Sequence, residues 1–275
     1  MILAAIFLAQ PLLGTDHALY QEDFDDGQSG QSFLASSDWT TNDKGCDLLL
    51  AKEPSGNLFV DGSTNVPESQ GVSSTPFFSV RLPQAPIPGA GKYLVLEADL
   101  RGGPGPQPEW TSTLNSSLWL TGSSQGYDGV IARWHYNSDI AHRPAPSWTF
   151  TTGRQAVAVG QKDELHVQTD VIGMWVRAYV VVDLVHRTLQ GMIRAGDQLI
   201  VTGVYKLAAQ FDLWSNGHLV NRQDTRYGLW GLDLDNLFVR QSNDNPIPAE
   251  RRGEPIGPEV GVSTTDVHVG EWANP

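Results

Sequence analysis

The sequence predicts an all-β fold, two antiparallel sheets packed as a sandwich, on three observations. Short apolar or alternating segments recur along residues 20 to 240, separated by Gly, Pro, Asn and Asp turns. Hardly a stretch carries the periodicity of a helix. Two acidic segments, Tyr20-Gln-Glu-Asp-Phe-Asp-Asp-Gly27 and Gly231-Leu-Asp-Leu-Asp-Asn-Leu-Phe-Val-Arg240, bracket the region as neighbouring first and last strands would.

The elements follow in chain order. Met1 to Leu13 is an apolar run broken by Pro11, too short to span a bilayer. It reads as a secretory signal over residues 1–18, cut after Ala18 or nearby, although no Lys or Arg precedes it. A misplaced start or an N-terminal strand is the alternative. The expected location is secreted, extracellular or periplasmic. The β domain then covers 19–240. Strands are expected at Asn57–Asp61, Phe77–Leu82, Tyr93–Leu100, Ser116–Leu120, Gly129–Tyr136, Ser147–Thr151, Glu164–Gln168 and Met174–Leu184. Thr188–Arg194 and Gln198–Thr202 read as a hairpin across Ala195-Gly-Asp197. In Tyr93–Leu100, Leu94, Leu96, Ala98 and Leu100 point inward, and Glu97 and Asp99 outward. The closing segment alternates less well, because Leu237-Phe-Val239 is apolar on both faces. Tyr205–Phe211 is the one helix candidate, and residues 101–108, rich in Gly and Pro, read as a loop. Residues 241–275 read as a Pro-rich acidic extension laid over the sandwich through Val260, Val262 and Trp272.

The 275 residues carry a formal charge of −13, with a pI near 4.8. An acidic surface repels phosphate backbones and anionic bilayers, so neither nucleic acid nor membrane insertion is expected. Cys46 is the single cysteine, which excludes an intrachain disulfide. No histidine pair has zinc-ligand spacing, and no Gly-rich loop joins a strand to a helix.

Glu22-Asp-Phe-Asp-Asp-Gly27, the pair Trp175–Leu184 and Leu189–Arg194, and Leu234-Asp-Asn-Leu-Phe-Val239 together resemble the concanavalin A-like jelly-roll superfamily, the laminin-G-like, lectin and glucanase sandwiches. The resemblance implies a jelly roll whose first and last strands are neighbours, and a carbohydrate-related role. The chain departs from the enzymes of that group. Glu97-Ala-Asp99 lacks the third acid of the glucanase strand, and Arg133-Trp-His-Tyr136 holds residue types of the alginate lyases without their pattern. Fold alone does not fix function.

Three sites are weighed. Asp25, Asp26 and Asp235, with Asp23 and Asp233 nearby, are hard oxygen donors that suit a structural calcium ion; the alternative is solvated turn chemistry. Arg133, Trp134, His135, Tyr136, Trp148 and Trp119 are candidates to bind a polysaccharide or other glycan, whose C–H faces stack on aromatic rings. The alternative is that these rings fill a core, as expected for Trp175 and Trp230. On Gly129–Tyr136, Arg133 and His135 share one face, and Trp134 and Tyr136 the other. His135 with Arg133 would be the catalytic pair of a lyase on an acidic sugar; Glu97 with Asp99 would be the carboxylates of a hydrolase, against the preferred alternative of a solvated outward face, since any strand gives that spacing. The expected function is therefore a secreted carbohydrate-binding protein. A polysaccharide lyase or glycoside hydrolase is the first alternative, and an extracellular assembly protein that docks through 241–275 the second.

Overall fold

The computed structural model describes residues 16–42, 47–62, 77–83, 85–102, 115–123, 127–137, 147–157, 164–168, 173–223, 231–253 and 266–267. Cys46, Trp230, Val260, Val262, Trp272 and the apolar opening run lie outside them. In chain order the elements are β1 (His17–Glu22), α1 (Phe33–Ser36), β2 (Thr40–Thr41), β3 (Leu49–Lys52), β4 (Leu58–Asp61) and β5 (Phe77–Arg81). Next come β6 (Tyr93–Gly102), β7 (Asn115–Thr121), β8 (Val130–Asn137), β9 (Ser147–Thr152), β10 (Glu164–Gln168) and β11 (Val176–Asp183). The last are β12 (Thr188–Ala195), β13 (Gln198–Val201), β14 (Tyr205–Lys206), β15 (His218–Arg222), β16 (Leu232–Ser242) and β17 (Asp266–Val267).

These strands form two sheets. The first runs β13-β12-β11-β6-β16-β4-β3, with β1 added on β16 and β14 on β12. The second runs β17-β10-β9-β8-β7-β15-β5-β2. Every pairing is antiparallel except β10 with β17. The predicted meeting of first and last acidic strands is present: β1 lies along the second half of β16, with His17 opposite Gln241 and Glu22 opposite Leu237. A cut after Ala18 would remove two positions of this ladder and the Asp16–Arg240 ion pair at 3.0 Å.

The core lies between the sheets. From the first sheet, Leu94, Leu96, Ala98 and Leu100 of β6 and Val176, Ala178, Val180 and Val182 of β11 point inward, as alternation predicts. β16 repairs its imperfect alternation with a β-bulge between Asp235 and Phe238. Leu232, Leu234, Leu237 and Val239 are then all fully buried. Asn236, the bulged residue, has a φ of +47°, a left-handed conformation that Asn tolerates better than most residues.

The second sheet supplies the large rings: Trp134, Tyr136, Trp148 and Phe150 all belong to the central core. Trp134 reaches across the sandwich and donates its Nε1–H to the Tyr179 carbonyl at 2.9 Å. Two glycines of the first sheet make room for the others. A Cβ on Gly191 would sit 2.4 Å from the Phe150 ring, and one on Gly102 2.2 Å from the Tyr136 ring.

Two expectations are corrected. Tyr205–Phe211 is not a helix: β14 pairs with β12, Leu207 bridges Val157, and Arg187 donates to the carbonyls of Ala208 and Phe211 at 2.9 and 3.0 Å. Long-range partners thus satisfy the backbone that a helix would have paired internally. β6 also continues through Arg101 and Gly102, the first two residues of the predicted loop. The described parts of the extension, to residue 253 and at Asp266–Val267, are folded, the latter as β17 beside β10. Gln241 and Ser242 end β16, and Ile247 is fully buried on the outer face of the first sheet with Val95, Val181 and Met192.

Gly191→Ala is expected to lower stability by about 1–3 kcal/mol through overpacking against Phe150. The fall should appear as a drop in thermal midpoint by circular dichroism, partly restored in Gly191→Ala/Phe150→Leu. An unchanged midpoint would show that the sheets separate there at little cost.

Candidate functional site

The face of the second sheet turned away from the core is polar where it would be expected to meet solvent, yet its side chains are largely buried. Strand register builds it. Arg222, Ser117, His135 and Thr149 lie side by side across β15, β7, β8 and β9. One step along, Val220, Trp119, Arg133 and Thr151 form the next row. Ser117 is fully buried, Thr149 is 3% exposed and His135 4%. Directly opposed residues share a face, so the imidazole stands between two hydroxyl-bearing side chains. The Arg133 guanidinium lies 5.5 Å from the Trp119 ring centroid, a cation–π distance. Trp119 is held by Phe77, edge-on at 5.3 Å, and by its Nε1–H donated to Ser117 at 2.6 Å. Arg133, His135, Thr149 and Arg222 make further contacts.

The sequence candidates therefore divide. Arg133, His135 and Trp119 come together on this face. Trp134, Tyr136 and Trp148 do not join them: they point into the core, exposed by 1%, 6% and 1%. Neighbouring residues on a strand face opposite ways, and the rings fill the space between the sheets. Burial pushes the Tyr136 hydroxyl well above its usual range, and its place in the core puts it on the opposite side of the sheet from His135. Ser117, Thr149 and Arg222 complete the polar rows, and no spacing along the chain points to them, because cross-strand register alone assembles them.

The acids lie elsewhere, on the outer face of the first sheet. Arg177 donates to Glu97 at 2.6 Å and to Asp99 at 2.7 Å, and Arg240 also binds Glu97. Burial alone would raise the Glu97 carboxyl, but hydrogen bonds from Arg240 and Arg177 outweigh it and hold the group below its usual range. It is thus kept ionised, the opposite of what a general acid needs, and both Glu97 and Asp99 are engaged in ion pairs with Arg177. Arg101 bridges Asp233 at 2.7 Å and Glu53 at 2.9 Å. Asp233 is pushed up to about 6 by burial, against the pull of Arg101.

Asp235, 2% exposed, accepts from Asn57 at 2.6 Å and from the Asn236 side chain at 3.0 Å. Burial, then the charges of Asp99 and Asp25, push it up to about 6. Asp25 thus stands near Asp235, with its Oδ1 3.5 Å from the Leu58 nitrogen. The charge of Asp26 is felt instead by Glu22. Among the described residues no three His, Cys, Asp or Glu side chains gather as a metal-ligating group. Trp175, expected in the core, is half-buried on this outer face. Its Nε1–H donates to Glu53 at 2.6 Å, and Arg101 sits 4.5 Å from its ring. The alternation with Val176 inward was the signal for its outward position. No described helix is long and apolar enough to cross a membrane.

No protein-family model matches the chain, and no curated protein matches it either. Solved structures do. The acidic lectin of winged bean, complexed with methyl-α-D-galactose, aligns with a TM-score of 0.50 and 8% identity over 82% of this chain and 99% of the lectin. A carbohydrate esterase of the Shiga toxin-encoding bacteriophage phi24B aligns at 0.50 with 10% identity, over 83% of this chain and all of its own. The alginate lyase from Klebsiella pneumoniae gives 0.46 and 10%, over 80% and 99% of the two chains. At such identities the likeness is one of fold, and the fold of this chain is the concanavalin A-like jelly roll.

Proposed function

We propose that the chain is a secreted carbohydrate-binding protein that holds a polysaccharide on the outer face of its second sheet. The observation that carries this reading is the polar file Arg222–Ser117–His135–Thr149 beside Arg133 over Trp119. Arg133, Thr151 and Arg222 are the half-buried members of this face, and donors and hydroxyls held in place by buried polar neighbours suit a hydroxyl-rich ligand, because each sugar hydroxyl both donates and accepts. A lectin of this fold in complex with a galactoside supports the class of ligand. In this reading Arg133 holds a sugar oxygen, the buried His135 supports the polar face from between Ser117 and Thr149, and Trp134 and Trp148 act only by keeping the sheet in place.

Three measurements test its parts. Purified protein is expected to be retarded in gels containing its polysaccharide, with no unsaturated or reducing-end product. Arg133→Ala is expected to weaken binding about tenfold, the loss of one charge-assisted hydrogen bond. Product formation would replace the binding reading with a lyase or hydrolase, and retardation unchanged in Arg133→Ala would remove this face from it.

Export is supported by the apolar opening run, and N-terminal sequencing of protein recovered from the medium or periplasm tests it. A mature start at or before Asp16, which leaves β1 whole, is expected; an uncleaved or cytoplasmic chain would end this part of the proposal.

Calcium would act structurally at the Asp25–Asp235 corner. Two carboxylates with backbone carbonyls can supply its oxygens and relieve their mutual repulsion. The expected result is a thermal midpoint raised by millimolar calcium, lowered again by a chelator and insensitive to both in Asp25→Asn. No shift in the wild type would rule calcium out there.

A further inference from the structure

The outer face of the first sheet holds a cleft of about 410 Å³, lined by Glu53, Asp99, Trp175, Arg177, Arg194 and Asn236 among others. That volume lies within the range of small-ligand sites, about 300–1,000 Å³. We propose that this cleft is a second saccharide site, specific for a neutral sugar, on the sheet opposite the Arg133–His135 face.

The walls are fixed before any ligand arrives. Glu53 holds the Trp175 indole nitrogen at 2.6 Å, Phe59 packs edge-on at 5.5 Å, and the Arg101 guanidinium lies 4.5 Å from the ring. An aromatic ring held in this way binds without losing rotamer freedom. Arg177 is held by Glu97 and Asp99. The bulge of β16 places Asn236 at the cleft, where its side-chain nitrogen donates to Asp99 Oδ2 at 2.9 Å and Asp235 Oδ2 at 3.0 Å.

Hydrogen-bonding capacity is left over in the right kinds. Arg194 is exposed and pairs with no carboxylate among the described residues. Asn236 Oδ1 and Asp99 Oδ1 accept no hydrogen bond there either, since the bonds to Asp99 all fall on Oδ2. One guanidinium donor and two oxygen acceptors around a fixed indole match a ring whose hydroxyls each donate and accept. Charge selects against acidic sugars. Arg177 and Arg101 are already neutralised by their partners, and an incoming carboxylate would meet Glu53, Asp99 and Asp235 with Arg194 alone to offset them.

The test uses the full chain and the side-chain nitrogen–proton signal of Trp175, one of nine tryptophans, identified by its loss in Trp175→Phe. The probes are the methyl glycosides of galactose, glucose and mannose at millimolar concentration, with galacturonic acid as the acidic arm. A saturable shift of the Trp175 signal with at least one neutral glycoside is expected. Affinity should fall about tenfold in Arg194→Glu and in Asn236→Gly, the scale of a lost hydrogen bond to a charged group. Arg194 is a surface residue, so its variant should keep the wild-type melting temperature; glycine accepts the backbone conformation of Asn236, but Asn236→Gly also loses the bonds to Asp99 and Asp235 and should melt lower, so its affinity is read well below its own midpoint. No shift with any glycoside, a response to galacturonic acid alone, or wild-type affinity in both variants would each overturn the proposal. Polysaccharide retardation of Arg133→Ala reads the other sheet, so either site can fail without the other.

Discussion

The sandwich depends on how the rings of β8 and β9 meet the backbone of the opposite sheet. Trp134, Tyr136 and Phe150 are too large for a gap filled by side chains from both sides. The first sheet answers with bare backbone: Gly191 lies under Phe150, Gly102 lies under Tyr136, and the Tyr179 carbonyl accepts the Trp134 N–H. Close packing fixes the spacing and the relative register of the sheets together. It also decides which residues face outward, because committing Trp134 and Tyr136 to the core leaves Arg133 and His135 no other side.

The two outer faces solve different problems. On the second sheet, polar residues are gathered by cross-strand register and are covered. On the first, a chain of ion pairs runs from Arg240 through Glu97 and Arg177 to Asp99, and the Asn236 amide links it by hydrogen bonds to Asp235. A lone carboxylate here would carry a desolvation penalty, and shared arginines offset it. The bulge at Asn236 serves both interior and surface: it returns Leu237 and Val239 to the core and turns an amide toward two carboxylates. Farther along the same face the chain lays Ile247 over an apolar stripe, so charged and apolar sections of one sheet each have their own cover.

Much of this was legible in the residues. Leu94 to Leu100 alternates, and β6 does so too; the acidic opening and closing segments are paired as β1 and β16. The broken alternation at Leu237-Phe-Val239 was a true signal of a bulge, but a one-residue insertion in register cannot be placed without its partner strand. The helix expected at Tyr205–Phe211 failed because the helix propensity of Leu, Ala and Gln, though high, is a small term beside tertiary context, and distant hydrogen-bond partners prevailed. Tryptophans were the least readable. A Trp on a strand looks alike whether it fills the core, as Trp134 and Trp148 do, or lines an outer cleft, as Trp175 does. The polar file was invisible because Arg222, Ser117, His135 and Thr149 are neighbours only through pairing.

The pairing of β1 with β16 also bears on how the chain reaches this state. His17 cannot find Gln241 until nearly all of the described sequence is available. Closing so long a loop carries an entropic cost that local contacts cannot offset early, and non-local sheets of this kind form slowly. A growing chain would therefore present an unfinished sheet, with β6 lacking its β16 neighbour, until its last fifth has emerged. Under the proposed export that delay would have a use: a chain unable to close its first sheet stays loose enough to be threaded across a membrane, and it locks only after the closing strand arrives.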